Sequence, residues 1–326
     1  MSTTREALRP VRLRPFAGPA DYAVMASLIA TANAHDGIDD IPTAESLRAD
    51  YEARTEMDPS RDFVFAEIDG RAIGVGEAYR QVRDGIAIYW TFGTVLPDYR
   101  RRGIGRAILA ANEARGLELA ADHEDPGGRA YASWVSQREG GADALLMGAG
   151  YAPLRYGFAM VRPNLDDLPE TSLPLGLEMR PVEADHHRAI FAADNEAFRD
   201  HWGHHEATED DLAATHASPD IDTTLWRIAW DGDEVAGGVL TWVYASENEA
   251  FGVRRGWLEH IFVRRPWRRR GLATAMIAFA LAGLRERGMT EAMLGVDADN
   301  RTGALRLYER LGFTVKDRAA HYRKAF

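Results

Sequence analysis

Apolar and polar positions fall into the same order twice along this chain. Residues 11–14 and 177–180 read as opening strands, each followed by apolar positions at helical spacing, 20–34 and 184–198. Each half then has two apolar runs meeting at Asp69-Gly70 or Asp231-Gly232, a dipeptide that suits the left-handed backbone of a tight hairpin. Strands at 86–95 and 256–263, helices at 104–120 and 272–287, and strands at 129–135 and 291–297 come next. A short helix and a final strand close each half. This alternation predicts an α/β chain whose domains each hold a mixed sheet.

The order repeats because the sequence repeats. "LRPF" (13–16) matches "MRPV" (179–182), and "IDGRAIG" (68–74) matches "WDGDEVAGG" (230–238). "VLPDYRRRGIGRAIL" (95–109) matches "VRRPWRRRGLATAMI" (263–277), and "ALLMGAGYAP" (144–153) matches "RLYERLGFTV" (306–315). The four offsets stay between 162 and 168 residues, as a duplicated domain requires. "PNLDDLPETSLPLG" (163–176) has three prolines, a terminal glycine and no periodicity, and reads as a linker. The expected domains are therefore 1–162 and 177–326.

At 326 residues each half is long enough to bury a core of its own. There is no cysteine, which excludes disulfides, thiolate catalysis and Cys-ligated zinc. The first residues lack the apolar core of a signal peptide, and the longest apolar run, 271–284, is shorter than the roughly 20 residues of a membrane span. A cytoplasmic protein with no membrane partner is expected, as a monomer or homodimer. The net charge of −11 argues against nucleic acid as a partner.

The repeated "RRRG" stretch lies between a strand and a helix in both halves. Gly103 or Gly271 allows a tight turn and close approach of a ligand. Gly105 or Ala273 keeps bulk away two residues later. The first-turn amides and the helix dipole then favour an anion, and Arg100–Arg102 and Arg268–Arg270 add charge and forked donors. This predicts a phosphate or pyrophosphate site. A Walker A loop would need Gly-Lys-Ser/Thr, and the dinucleotide fingerprint needs three glycines after the first strand. A solvated basic turn capping a helix is the alternative without function.

Arg268-x-x-Gly271-x-Ala273 and Arg100-x-x-Gly103-x-Gly105 resemble the coenzyme signature of GNAT acetyltransferases. "DADNRTGALRLYERLGFTV" (297–315) resembles the family's second landmark, through Asn300, Ala304, Tyr308 and Gly312-Phe313. With "NEAFRDHWG" (195–203), the two-domain length resembles the tandem members grouped around mycothiol synthase. The resemblance implies two tandem GNAT-like domains, each a mostly antiparallel sheet flanked by helices. It implies acetyl-CoA as co-substrate and a small-molecule amine as acceptor. The amides of Arg269, Arg270, Gly271, Leu272, Ala273 and Thr274 would hold the pyrophosphate. Backbone groups of Ile261, Phe262 and Val263 would pair with the pantetheine arm, and one amide would polarise the thioester carbonyl. Tyr308 would be the acid for the departing thiolate.

Glu259 is the candidate base, placed by strand alternation on the face of Ile261 and Val263, with His260 on the other face. The cluster "DHWGHHE" (200–206) has no metal-ligand spacing of the zincin type, and no metal is expected. Asp200, His201, Trp202 and His204 are candidate acceptor contacts, or else a polar loop with a packed tryptophan. The first half keeps Arg100, Arg102, Gly103 and Gly105, but Leu146 stands where Tyr308 does and Arg138 where Asn300 does. That half is expected to be degenerate and the second catalytic. A coenzyme-binding protein without turnover and a protein or peptide acetyltransferase remain the alternatives.

Overall fold

The computed structural model describes residues 10–326, apart from 53, 55, 84, 125–126, 200–205, 219 and 301–302. The chain divides into two compact units. The first runs to Ala152 and includes Tyr322–Phe326; the second is Pro153–His321.

The first unit runs β1 (Arg12–Pro15), α1 (Ala20–Asp36), α2 (Ala44–Glu52), α3 (Pro59–Asp62), β2 (Phe63–Ile68), β3 (Arg71–Arg83), β4 (Ile86–Val95), α4 (Ile104–Asp122), β5 (Arg129–Ser136) and α5 (Ala142–Gly148). Its strands lie in the order β1-β2-β3-β4-β5, all antiparallel neighbours except the parallel pair β4–β5. The second unit is built from β6 (Ala152–Arg162), β7 (Glu178–Arg180), α6 (His187–Phe198), α7 (Glu209–Ala217), β8 (Arg227–Asp231), β9 (Glu234–Trp242), α8 (Ala245–Phe251), β10 (Arg255–Val263), α9 (Leu272–Glu286), β11 (Glu291–Asp297), α10 (Ala304–Arg310) and most of β12 (Thr314–Ala325). There the order is β7-β8-β9-β10-β11-β6, again antiparallel except for one parallel pair, β10–β11. The fold is thus the mixed, mostly antiparallel α/β arrangement expected. Among the described residues no helix is long and apolar enough to cross a membrane.

The first hairpin turns at Asp69-Gly70, where both residues have positive φ (51° and 77°), the requirement of a type I′ turn. The second loop falls one residue later than expected, at Gly232-Asp233, with Gly232 supplying the left-handed backbone. Helices α2, α3, α7 and α8, all of nine residues or fewer, were not expected.

The domain boundary also differs from the expected one. β6 pairs antiparallel with β11 from Arg162↔Ala292 to Gly157↔Asp297, so it belongs to the second unit. The stretch 163–176 contains no helix or strand, yet Leu165 is fully buried in the second unit's core, with Leu168 and Leu173 beside it. Buried Arg162 donates to the carbonyls of Asn164, Asp167 and Leu311, tying the end of β6 to the end of α10. The last residues of the chain serve the first unit, where Phe326 packs on Tyr89 and Tyr131 and Lys324 pairs with Glu113 at 2.7 Å.

In each unit a long helix packs on the sheet, α4 in the first and α9 in the second. In the second unit α9 lies on β9 and β10, with Met276, Ile277, Leu281 and Leu284 in the core. Its approach depends on Gly256 of β10, where an added Cβ would lie 2.2 Å from Leu284 Cδ2. Gly256→Ala should therefore cost about 1–3 kcal/mol through overpacking. A urea midpoint equal to that of the unaltered protein would show that α9 has room to move.

Candidate active site

The same loop is built twice, down to its backbone angles. In each unit the chain leaves a strand through a one-turn 3₁₀ segment, Pro97–Tyr99 or Arg265–Trp267, with proline pre-setting its start. Two residues then take left-handed backbone. Arg101 and Gly103 have φ of 62° and 83°; Arg269 and Gly271 have 62° and 84°. Glycine adopts this at no steric cost, but an arginine held there stores roughly 1–2 kcal/mol of strain. Gly103 and Gly271 cap α4 and α9, and neither helix has a side-chain cap. First-turn amides without such a cap are donors that can hold an anion.

The arginines do not all serve as expected. Arg100 donates through Nη1 and Nη2 to both oxygens of Asp36, each at 2.7 Å, and through Nε to Val95 O. Arg268 donates through Nε to Val263 O at 2.9 Å and through Nη2 to Ala197 O at 3.0 Å. The first arginine of each signature is thus folded back onto its own strand and first helix. It fixes the loop; it does not reach outward as a phosphate fork. Arg101, Arg102, Arg269 and Arg270 are exposed.

Beside each loop two parallel strands stop pairing. β10 and β11 pair at Arg255–Trp257 with Glu291–Met293, and β4 and β5 at Ala87–Trp90 with Arg129–Ala132. Beyond these points β10, and in the first unit β4, shows no ladder to the parallel neighbour. In the second unit this opened edge includes Ile261, Phe262 and Val263.

Alternation does not carry Glu259 to the face of Ile261, as expected, because the strand is bulged there. The register steps from Leu258↔Thr241 to His260↔Leu240, leaving Glu259 as the extra residue. Leu258, Ile261 and Val263 pack in the α9 core and Phe262 in the α6 core. Glu259 is exposed and accepts a hydrogen bond from Tyr244 Oη at 3.0 Å. Desolvation by the surrounding protein raises its pKa, opposed by that hydroxyl and by His260. His260 donates from Nδ1 to buried Asp194 at 2.8 Å and lies against Trp242 and Phe198. Desolvation works against its charge, but the bond and charge of Asp194 and the charge of Glu259 outweigh that and raise its pKa.

Tyr308 lies on α10, which begins at Ala304 just after Gly303 (φ 81°). It is buried edge-to-face on Phe313, and burial pushes its hydroxyl up to about 12, so it stays protonated at neutral pH. Asn300 sits in the turn before α10, its amide on Asp297 O. In the first unit Gly141 (φ 90°) caps α5 in the same way, and buried Leu146 occupies the place of Tyr308. Between the parted β4 and β5, the loop and α5 lies a cavity of about 750 Å³. The half expected to be degenerate thus keeps an open cleft.

Both copies of the loop and its strand fall within the two stretches that one family model matches, residues 32–124 and 187–313, more than half of the chain. The chain belongs to the acetyltransferase (GNAT) family. It is an N-acetyltransferase, an enzyme that moves an acetyl group to an amine. It is 29% identical to the mycothiol acetyltransferase of Geodermatophilus obscurus over 299 residues, covering 91% of this chain and 92% of that protein. The mycothiol acetyltransferase of Thermobispora bispora is 33% identical over 68% of this chain and 70% of its own length. Among solved structures, a GCN5-related N-acetyltransferase from Sphaerobacter thermophilus has a TM-score of 0.75 and 28% identity, covering 97% of this chain and 96% of that one. A tandem GNAT protein from the clavulanic acid biosynthesis pathway shares the fold, with a TM-score of 0.68 at 18% identity and 97% of this chain covered against 98% of its own.

Asp200, His201, Trp202 and His204 of this GNAT chain lie outside the described residues. Among the described residues one group has the spacing of a metal site, Glu183, Asp185 and His186. Glu183 and His186 form a capping box at the start of the second unit's first helix, which accounts for them without an ion. The partnerships Tyr244–Glu259 and Asp194–His260 span 15 and 66 residues and leave no local sequence signal. Glu77 does carry a sequence signal: in "VGEAY" it interrupts the apolar positions Ile73, Val75 and Tyr79 that share its strand face.

If Arg268 is a tether, Arg268→Lys keeps the charge but loses the two-pronged reach. It should lower stability by about 1–3 kcal/mol without any ligand present. Arg270→Lys should leave thermal unfolding unchanged. Equal melting curves for the two variants would return Arg268 to the role of a phosphate contact.

Proposed function

We propose that this chain is an acetyl-CoA-dependent N-acetyltransferase of small primary amines, with its chemistry in the second unit. The observation that carries the reading is the joint presence there of the loop, the opened edge of β10 and a protonated Tyr308 on α10. The first-turn amides from Arg269 to Thr274 hold the pyrophosphate, and Asn300 and Ala304 are further coenzyme contacts. The free edge at Ile261–Val263 takes the pantetheine as an added strand, and one of its amides polarises the thioester carbonyl. Glu259 accepts the amine proton, and Tyr308 protonates the departing sulfur. Acetyl-CoA supplies the activated acyl group. The relatives named mycothiol acetyltransferase make the acceptor of that reaction the first to test, and Asp200, His201, Trp202 and His204 are the proposed acceptor contacts. A coenzyme-binding unit without turnover is the alternative reading for the first unit, where Leu146 replaces the acid beside an open cavity.

Calorimetry with acetyl-CoA comes first. A site lost in Gly271→Glu and kept in Gly103→Glu supports coenzyme use in the second unit; no binding at all overturns the reading. Tyr308→Phe should lower kcat by about 10²–10³ with little change in KM for acetyl-CoA. Because the pKa of Glu259 is raised, activity should fall as pH drops through a value above the ordinary carboxylate range. Glu259→Gln should abolish that acidic limb. An unchanged limb would exclude Glu259 as the base.

A further inference from the structure

The first unit lacks both second-unit groups proposed for proton transfer. Leu146 replaces Tyr308, and the β3–β4 ladder runs from Gly74↔Val95 to Arg83↔Ile86 without a register shift, so no residue is bulged out of β4. A different carboxylate stands there. Glu77 of β3 is the cross-strand partner of Phe92, and Phe92 lines the 750 Å³ cavity. Partners in an antiparallel ladder share a face, so Glu77 lies beside Phe92, one strand removed from the edge at which β4 and β5 part. The matching position in the second unit, three residues beyond the glycine paired with the strand-end valine, is the buried Leu240.

Glu77 is held as Glu259 is. Tyr51 of α2 donates its hydroxyl to Glu77 Oε2 at 2.9 Å, against 3.0 Å for Tyr244 and Glu259. A cation stands by each: His260 for Glu259, and for Glu77 the exposed Arg54, whose guanidinium lies over the rings of Tyr51 and Tyr79 at 5.3 and 5.6 Å. Tyr79, Trp90 and Phe92 stack in a wall on the same face, with centroids 5.7 to 6.4 Å apart. Such a wall attracts cations, and two already lie on it, Arg54 over Tyr79 and Arg83 over Trp90 at 5.1 Å, which leaves the Phe92 end for an ammonium group. Desolvation pushes Glu77 up to about 7, with Asp62 and Asp50 adding to the rise and Arg54 and the Tyr51 hydroxyl opposing it. A half-buried carboxylate is a cost that leucine avoids at the matching position, and such groups gather at working sites.

We propose that the first unit is a second acyl-transfer site, which seats its own primary-amine acceptor against the Tyr79–Trp90–Phe92 wall and uses Glu77 as the base. This rests on the coenzyme reading of the paired loops given above. The carboxylate of Glu77 takes one proton from the ammonium form of the acceptor. The nitrogen lone pair then attacks the thioester carbonyl; a C–N bond forms and the C–S bond breaks, with the sulfur keeping the bonding pair. The second nitrogen proton reaches the sulfur through water, because Leu146 offers none. Glu77 returns its proton to solvent, and the products are an amide and a free thiol.

The test uses the full chain carrying Gly271→Glu and Tyr308→Phe together, with thiol release from acetyl-CoA followed across a panel of primary amines. The expected result is amine-dependent release that survives in this variant and depends on pH with a midpoint near 7. Adding Glu77→Gln, which keeps the Tyr51 contact, should lower it by about tenfold or more and remove that pH limb. Calorimetry on the same variants shows whether the first unit is folded and binds acetyl-CoA. One bound coenzyme without turnover, while the unaltered protein turns over, makes the first unit a binding domain and overturns this inference alone. Release that survives but ignores Glu77→Gln overturns Glu77 as the base. No release from the unaltered protein with any amine overturns both this inference and the proposed function.

Discussion

The site depends on two parallel strands that pair briefly and then part. A parallel ladder is normally continued or covered, because an open strand edge presents unpaired amides and carbonyls. Here the ladder stops after three or four residues while both strands run on, so each unit carries an edge inside its sheet. The parting is held by what flanks it. On one side the strand before the loop stays fully paired to its antiparallel neighbour. At its end an arginine folds back to bond the last strand carbonyl, Val95 O or Val263 O, and locks the turn into the following helix. The helix N-terminus is thereby fixed at the mouth of the gap. An edge open to an extended ligand and a helix end open to an anion come from one arrangement of backbone.

The two units share that backbone and differ in the side chains placed around it. In the second, a bulge breaks the alternation of β10 and turns out Glu259, and α10 brings Tyr308. In the first, β4 keeps its register, so a carboxylate on β4 would have to follow strict alternation. The charged group sits on β3 instead. Backbone geometry has thus been kept to within a few degrees at the loops while the titratable groups have moved between strands. That is the pattern expected when scaffold and chemistry answer to different constraints.

Much of this was legible in the sequence, because the repeat could be read against itself. β4 and β11 begin and end where apolar patterning placed them, and both loop glycines have the left-handed backbone their position implied. The final strand of the first half was recognised as a strand but assigned to the wrong unit, since patterning reports that a strand is apolar and not which strand it joins. The bulge at Glu259 was invisible for a related reason. A bulge is a property of two paired strands, and neither "WLEHIFV" nor "GGVLTW" contains it alone. The role of Arg100 and Arg268 was misread because composition shows a cluster of cations but not which of them the protein's own carbonyls and carboxylates already engage.

Each candidate base is tuned by opposing effects, of which desolvation is the largest. Glu259 and Glu77 both lose solvent to the surrounding protein, which favours the neutral acid. Both then recover part of their charge from a tyrosine hydroxyl and a neighbouring cation. Without the hydroxyl and the cation, desolvation would leave each carboxyl protonated across a wider pH range and unable to take a proton from an amine. With a fully hydrated carboxylate the group would be ionised but too weak a base to deprotonate an ammonium. The useful range lies between, and it is reached through Tyr244 and His260 in one unit and Tyr51 and Arg54 in the other. Asp194, on α6, bonds the Nδ1 of His260 and raises its pKa, which favours its charged form. The basicity of Glu259 is therefore set partly by a helix it does not touch, and the register of α6 against β10 belongs to the chemistry as much as to the core.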